Sequence, residues 1–120
     1  MDWKLDDSRP IWIQLQDQLT RRIISGHYSP GEKLPSVREL AAEAGVNPNT
    51  MQRALAALDA GGLTITNRTM GRTVTEDGTV LEGMRACLAQ GIIEQFYEST
   101  AELGYTNEQA LELLRRRQNL

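Results

Sequence analysis

The chain of 120 residues has 13 lysines and arginines against 16 aspartates and glutamates, which gives a formal net charge of −3. This length allows one compact domain with a short appendage. The negative charge excludes a nucleic-acid-binding protein that acts through bulk positive charge. Residues 1–76 carry nine basic and nine acidic side chains, whereas residues 77–120 carry four and seven. Any contact with an anionic partner must therefore depend on a few well-placed cations in residues 1–76.

The chain has a single cysteine, Cys87, and a single histidine, His27. A disulfide within the chain is therefore impossible, and a zinc site of nitrogen and sulfur ligands lacks members. No nucleophile and base can be assembled from this set, so we expect no enzyme, no metal and no cofactor. No apolar run approaches membrane-spanning length, and the acidic start MDWKLDD does not resemble a secretion signal. The expected location is therefore the cytoplasm.

The first predicted helix begins at Pro10, because proline suits the first helical position, and it ends near Gly26. Apolar residues at intervals of four predict that one face of this helix packs on the core: Ile11, Leu15, Leu19 and Ile23. Trp12 widens this face. We assign Trp12 and Trp3 to packing or dimer contacts and give them no further role.

Two short helices joined by a glycine are predicted between residues 36 and 60, which is the pattern of a helix-turn-helix. The first opens with the capping box Ser36-Val37-Arg38-Glu39 and ends at Gly45. The second has Asn47 as its N-cap and Pro48 at its first helical position, and it runs to Ala60. The spacing places its apolar residues on one face, which we expect to pack on the core: Met51, Ala54, Leu55 and Leu58.

The opposite face of the second helix carries Asn49, Gln52, Arg53 and Ala56, with Thr50 at its flank. Asparagine, glutamine and arginine can make paired hydrogen bonds to purine edges in the major groove, and threonine suits phosphates or methyl groups. On an isolated helix, a solvated polar face would be the better interpretation. The place of this helix in a helix-turn-helix favours DNA recognition instead.

Two short strands, Leu63–Thr66 and Thr73–Thr75, are predicted after the second helix from their alternating residues. The turn between them has Gly71 where a positive φ is expected. A hairpin in this position predicts a wing, whose Arg68 and Arg72 suit phosphates or a narrow minor groove. The alternative is a solvated turn with two incidental arginines.

Two helices are predicted in residues 77–120. The first has apolar residues at helical spacing and ends at Gly104. The second begins with a capping box at Thr106–Gln109, and its Ala110, Leu111 and Leu114 are expected to face inward. Because they are too small for an independent domain, we expect them to form a two-fold dimer with a second chain. The residues assigned to this contact are Leu81, Met84, Leu88, Ile92, Phe96, Leu111 and Leu114. A small-molecule site lined by Met84, Cys87 and Tyr97 is the alternative for this segment.

Residues 10–77 resemble the amino-terminal winged helix of the GntR family of bacterial transcription regulators. The resemblance is carried by ISGHYSPGEKLPSVREL at residues 24–40 and GVNPNTMQRAL at residues 45–55. The run NRTMGRTVTED at residues 67–77 and the tail of some forty residues are similar to the YtrA-like subfamily. The predicted fold class is therefore mainly α, with a winged helix-turn-helix domain at residues 1–76 and a two-helix dimerisation segment at residues 77–120.

The resemblance implies DNA contacts at the starts of both helix-turn-helix helices and at the wing. Carried over by motif position, these contacts are Ser36, Arg38, Asn47, Asn49, Thr50, Gln52, Thr69, Met70, Gly71 and Arg72, and we add Pro48, Arg53 and Arg68. Many family members have arginine at the positions of Pro48 and Gln52 and glycine at that of Thr69. The guanine contacts of those arginines do not transfer, so we expect a different operator, with adenine favoured by asparagine or glutamine.

The predicted function is that of a homodimeric repressor that binds a palindromic operator in double-stranded DNA. The resemblance implies control of its own operon and of neighbouring transporter genes. The short tail of the subfamily leaves little room for a large effector pocket, and we expect release from DNA to be tuned by an unidentified small molecule or other signal. The alternative is a winged-helix module for protein assembly without specific DNA binding. The two differ in salt dependence, because phosphate contacts make affinity fall steeply with salt.

Overall fold

The computed structural model describes residues 2–119. In chain order it contains α1 (Ile11–Ile24), α2 (Val37–Ala44), α3 (Pro48–Ala60), β1 (Thr64–Asn67), β2 (Gly71–Val74), α4 (Gly78–Glu102) and α5 (Asn107–Gln118). This confirms the predicted class of winged helix-turn-helix with carboxyl-terminal helices. The chain divides into one compact unit that ends at Gly83 and another that begins at Met84. The division between these two units falls within α4. The domain boundary after residue 76 stays a prediction.

The core of the first unit lies between three helices, with α3 packed on both α1 and α2. The core faces predicted for α1 and α3 are confirmed, because Ile11 is half-buried and the other members are buried: Leu15, Leu19, Ile23, Met51, Ala54, Leu55 and Leu58. Leu40 and Ala41 of α2 are buried as well. Burial of one such leucine contributes about 1.5–3 kcal/mol relative to exposure. This packing holds α3 in place and leaves its other face to solvent.

The predicted helix ends agree closely with the structure. The Ser36 hydroxyl accepts a hydrogen bond from the Glu39 backbone N–H at 3.1 Å, and the Ser36 N–H donates to the Glu39 carboxylate at 3.4 Å. Gly45 ends α2 with a φ of 71°. One boundary differs, because Pro10 has an extended ψ of 137° and α1 begins at the next residue, Ile11.

The β1–β2 hairpin is antiparallel, with Thr64 opposite Val74 and Asn67 opposite Gly71. A third segment of extended backbone, residues 31–34, pairs with the other edge of β2 and is not predicted from the sequence. The Gly31 N–H donates to the Val74 carbonyl, and the Leu34 N–H donates to the Arg72 carbonyl, each at 2.9 Å. The loop before α2 is therefore joined directly to the wing, by which we mean residues 64–74.

The amino-terminal residues lie along α1 in irregular conformation. The Gln18 side chain exchanges two hydrogen bonds with the Lys4 backbone, at 3.0 and 2.7 Å. The Gln14 amide does the same with the Asp6 backbone, at 3.0 and 2.8 Å. Two glutamines on α1 thus satisfy the backbone of a segment that has no regular structure of its own.

Trp3 covers a buried cation. The Arg22 guanidinium lies 4.0 Å from the centre of the Trp3 ring, and its side chain is 1% exposed. Arg22 also pairs with the Glu43 carboxylate at 3.2 Å, and the Trp3 indole N–H donates to the same carboxylate at 3.1 Å. Burial of a cation requires such pairing, and Trp3 therefore packs within this chain.

In the second unit, the Thr106 and Gln109 side chains form the predicted capping box at the start of α5. Ala110 is buried as predicted, whereas Leu111 and Leu114 are exposed in the single chain. Other large apolar side chains of this unit are also exposed: Ile92, Ile93, Leu103 and Tyr105. Of the helices between residues 2 and 119, none is long and apolar enough to cross a bilayer.

Candidate nucleic-acid interface

α3 has the two faces that the sequence predicts. Asn49, Gln52 and Arg53 are exposed, as is Ala56, and Thr50 is half-buried at the flank. The exposed side chains are those that can hydrogen-bond to base edges, and the small Ala56 leaves space for close approach. The predicted orientation of this helix is therefore confirmed.

The amino-terminal end of α3 presents polar groups to solvent. The side-chain oxygen of Asn47 accepts a hydrogen bond from the Asn49 backbone N–H at 2.7 Å, which caps the helix. Pro48 lacks an N–H and therefore leaves no donor unsatisfied at this position. The capping bond uses the amide oxygen of Asn47, so its NH₂ group is the part that an external acceptor can reach.

An open groove of about 450 Å³ joins α2, α3 and the wing. Its lining includes Ser36 at the start of α2, Gln52 on α3, and Gly71 and Arg72 on the wing. Residues that sequence analysis assigned to three separate elements thus come together on one surface. The groove also contains Lys33, which sequence analysis did not assign to the site.

Lys33 lies beside the wing because residues 31–34 pair with β2. A Cβ placed on Gly71 would be 3.2 Å from Lys33 Cε, and Gly71 has a φ of 77°. A side chain at Gly71 would be strained by that φ, so glycine suits the position on conformational grounds. The motif GEKLPS contains Lys33, but a single lysine in a turn gives no local signal of this placement.

Arg72 is engaged within the protein. Its Nε and Nη2 atoms donate to the two carboxylate oxygens of Asp59, at 3.0 and 2.9 Å. The same carboxylate accepts hydrogen bonds from the Thr64 hydroxyl and, at 2.7 Å, from the Thr66 hydroxyl. We call this cluster of Asp59, Thr64, Thr66 and Arg72 the wing tie.

The electrostatics of the wing tie favour the ionised carboxylate. Burial alone would raise the pKa of Asp59, but hydrogen bonds from Arg72, Thr64 and Thr66 outweigh it and hold the pKa below its ordinary value of 3.8. The Arg72 side chain is 13% exposed and that of Asp59 27% exposed. The pair is therefore charged and mostly shielded from solvent at neutral pH.

The wing tip is exposed and locally ordered. The side-chain oxygen of Asn67 accepts hydrogen bonds from the Thr69 backbone at 2.8 Å and from the Met70 backbone at 3.3 Å. Arg68, Thr69 and Met70 are all exposed. Within residues 2–119, no carboxylate forms an ion pair with Arg68, in contrast to Arg72. Arg68 is the tip cation with an uncompensated charge.

Arg53 is positioned by α1. Its guanidinium carbon lies 4.2 Å from the centre of the Trp12 ring. Stacking uses the face of the guanidinium and leaves its N–H edges able to donate hydrogen bonds. An exposed contact of this kind contributes roughly 0.5–1 kcal/mol. Trp12 thus has a second consequence beyond packing, because it restricts the position of a side chain on the exposed face of α3.

Known proteins share this architecture. The family described as bacterial regulatory proteins, gntR family, matches residues 13–74, which is more than half of the chain. The chain belongs to the GntR family. It is 37% identical over 112 residues to the HTH-type transcriptional regulator YhcF of Bacillus subtilis, with 93% of each chain covered. It is 38% identical over 96 residues to the HTH-type transcriptional repressor YtrA of the same organism, with 75% of this chain and 74% of YtrA covered.

Solved structures of GntR proteins extend the comparison. A GntR family transcriptional regulator from Listeria monocytogenes is 36% identical, with a TM-score of 0.84 over 93% of this chain and 98% of that one. The DNA-binding domain of AraR in complex with operator ORE1 is 25% identical, with a TM-score of 0.54 over 62% of this chain and 94% of that one. These relatives confirm the predicted class, a DNA-binding transcriptional regulator and not an enzyme. The individual DNA contacts and the dimer contacts stay predictions.

Proposed function

We propose that this GntR regulator binds a palindromic operator as a homodimer and represses transcription from it. The groove in which Ser36, Gln52 and the wing come together is the observation that carries this proposal. Its lining brings Gln52 of α3 together with Ser36 at the start of α2 and with the wing. This supports a binding mode in which α3 enters the major groove and the neighbouring elements contact the backbone.

We divide the proposed contacts into those with bases and those with phosphates. Asn49, Gln52 and Arg53 are exposed on α3 and suit base edges, with adenine favoured by the two amides. The phosphate contacts are proposed at the ends of the interface and include one residue added from the structure: Ser36, Arg38, Asn47, Thr50, Arg68, Thr69, Gly71 and the added Lys33. Pro48, which has no N–H, and the Met70 side chain are proposed to make van der Waals contacts with the DNA backbone. These contacts fix the register of the protein on the duplex without reading sequence.

The proposed dimer contact lies on the apolar residues of α4 and α5. Ile92 is 58% exposed, and Leu111 and Leu114 are also exposed, so their burial against a second chain would be favourable. Leu81 is buried within the single chain, and Met84, Leu88 and Phe96 are half-buried. A two-fold dimer would present two α3 helices to half-sites separated by about 34 Å or a multiple of it.

We propose that the protein is a repressor and that it acts in the cytoplasm. YtrA of Bacillus subtilis is named a transcriptional repressor, and a dimer that occupies a promoter would exclude polymerase from it. By family resemblance we propose that the targets include the protein's own operon and a neighbouring transporter. An effector site formed by Met84, Cys87 and Tyr97 is an additional proposal for the second unit.

A binding titration against the DNA upstream of the protein's own gene, at several salt concentrations, tests the function. We expect nanomolar affinity that exceeds binding to a scrambled duplex by at least about 10³-fold and falls steeply with salt. Equal, weak and salt-insensitive binding to both duplexes would contradict the proposal and favour the alternative assembly module.

A further inference from the structure

The wing tie joins α3 to both strands of the wing. Asp59 lies in the last turn of α3, Thr64 and Thr66 are on β1, and Arg72 is on β2. An ionised carboxylate offers about four acceptor sites, and four hydrogen bonds from these residues fill them. The bidentate contact fixes both the orientation of the Arg72 guanidinium and its distance from the Asp59 carboxylate.

Asp59 lies on the same side of α3 as Gln52. Seven residues separate them, which is nearly two full turns at about 100° per residue and about 10 Å along the axis. The face proposed to read bases therefore ends in the residue that holds the wing. A change at Asp59 would alter the position of the wing relative to Gln52 without removing any group that reaches DNA.

The charges of Asp59 and Arg72 cancel within the wing tie. An unpaired carboxylate in this position would repel phosphates, and the contact with Arg72 neutralises it. Arg72 therefore brings no net positive charge to the interface, although its sequence position at the wing suggested a phosphate contact. The cations left for phosphates near the wing are Arg68 at the tip and Lys33 in the groove.

We propose that Asp59 and Arg72 act together to position the wing, and that Arg72 serves DNA binding as a positioning residue and not as a phosphate contact. The part of this proposal that concerns DNA rests on the proposed function. The part that concerns the wing is a property of the free protein. Each part has its own measurement.

The free protein is tested by hydrogen exchange at the backbone amides of residues 64–74, in the full chain without DNA. Asp59→Asn keeps the size of the side chain and removes its charge. We expect exchange of these amides to accelerate about tenfold, the change expected when charged hydrogen bonds are lost, while amides within α1 remain unchanged. Unchanged exchange in the wing would overturn the proposal, whether or not the protein binds an operator.

Operator titrations at several salt concentrations test the role of Arg72, with Arg68→Gln as the matched control for a phosphate contact. Asp59→Asn and Arg72→Gln should each lower the operator affinity by a similar factor. The affinity of the double variant should be no lower than that of the single variant that binds less tightly. The salt slope should stay unchanged in the double variant, because its pair carries no net charge, like that of the wild type, whereas Arg68→Gln should reduce it by about 0.9. Far-UV circular dichroism of each variant establishes that its helices are retained.

A phosphate contact by Arg72 would give different results in these titrations. If Arg72 contacts a phosphate, Asp59→Asn would tighten binding, because it removes a negative charge and releases the arginine. In that case Arg72→Lys would keep the salt slope and most of the affinity. If Arg72 instead positions the wing, the same variant loses the bidentate bond to Asp59 and should bind more weakly. Absence of specific binding by the wild-type protein would contradict the proposed function, and hydrogen exchange would still decide the structural role of the tie.

Discussion

The two compact units differ in how completely they cover their own apolar residues. In the unit that ends at Gly83, Leu15, Leu19 and Leu55 are at most 1% exposed. In the unit that begins at Met84, Ile92 is 58% exposed and Leu103 is 77% exposed. Each large apolar side chain left in water forgoes about 1.5–3 kcal/mol of burial. The first unit thus buries its helical core within the chain and exposes Ile65 and Met70 on the wing, whereas the second exposes the surface on which we propose that a second chain packs.

The largest expected effect comes from a charge placed on that surface. Ile92→Asp should convert the dimer to a monomer and weaken operator binding by roughly 10²–10⁴-fold, because binding at two half-sites is lost. Sedimentation equilibrium and operator titration measure the two changes. Gln90→Asp is the control, since it adds the same charge about 200° around α4 from Ile92. If Ile92→Asp stays dimeric, the proposal that the exposed apolar residues of α4 form the dimer contact is contradicted.

A core substitution in the first unit should act on folding alone. Leu55→Ala removes a buried side chain between α3 and its neighbours and should lower the free energy of unfolding by about 2–5 kcal/mol. Chemical denaturation at two protein concentrations measures this. The loss should be the same at both concentrations, whereas the loss caused by Ile92→Ala should depend on concentration. A concentration-dependent loss for Leu55→Ala would show that the first unit also depends on a partner.

Asp59→Asn should lower the free energy of unfolding at pH 7 by about 1–2 kcal/mol, the scale of a charged hydrogen bond that is partly screened. The folded pKa of Asp59 lies below its ordinary 3.8, so its carboxylate stabilises the fold above that pH and ceases to do so as the pH falls through the folded pKa. The difference between wild type and variant should therefore shrink below about pH 4. A difference that is constant between pH 7 and pH 3, measured by urea denaturation, would contradict this electrostatic role.

The smallest expected effect concerns the stack of Trp12 on Arg53. Trp12→Leu keeps an apolar side chain and removes the ring, so operator binding should weaken by about two- to fivefold while the dimer is unaffected. The control is the double variant Trp12→Leu with Arg53→Ala, which should be no weaker than Arg53→Ala alone. Additive losses in the operator titration would show that Trp12 acts independently of Arg53.

The parts of the fold that the sequence predicts are those determined by near neighbours. Ser36 and Glu39 form their capping box within four residues, and the core and exposed faces of α3 follow from helical spacing. The parts it missed join distant residues. The tie between Asp59 and Arg72 spans 13 positions, and the bond between Trp3 and Glu43 spans 40.

The candidate site shows the same division. The exposed residues of α3 were predicted, because their chemistry and their face can both be read from one helix. Lys33 was missed, since its place in the groove depends on the pairing of residues 31–34 with β2. The contact of Arg72 with Asp59 was also missed, because nothing near Arg72 in sequence indicates this carboxylate. Partners of charged residues that are distant in sequence can be identified only from the tertiary structure.

The claim that the exposed face of α3 reads an operator is tested by selecting bound sequences from a randomised DNA pool, with the wild-type protein and Gln52→Ala in parallel. We expect the wild type to enrich a two-fold symmetric sequence, with half-sites about one helical turn or a multiple of it apart. Gln52→Ala should keep the symmetry and the spacing and lose preference at one base pair in each half-site, where the wild type favours adenine. Enrichment of no sequence, or identical preferences for both proteins, would contradict the claim that the exposed face of α3 reads an operator.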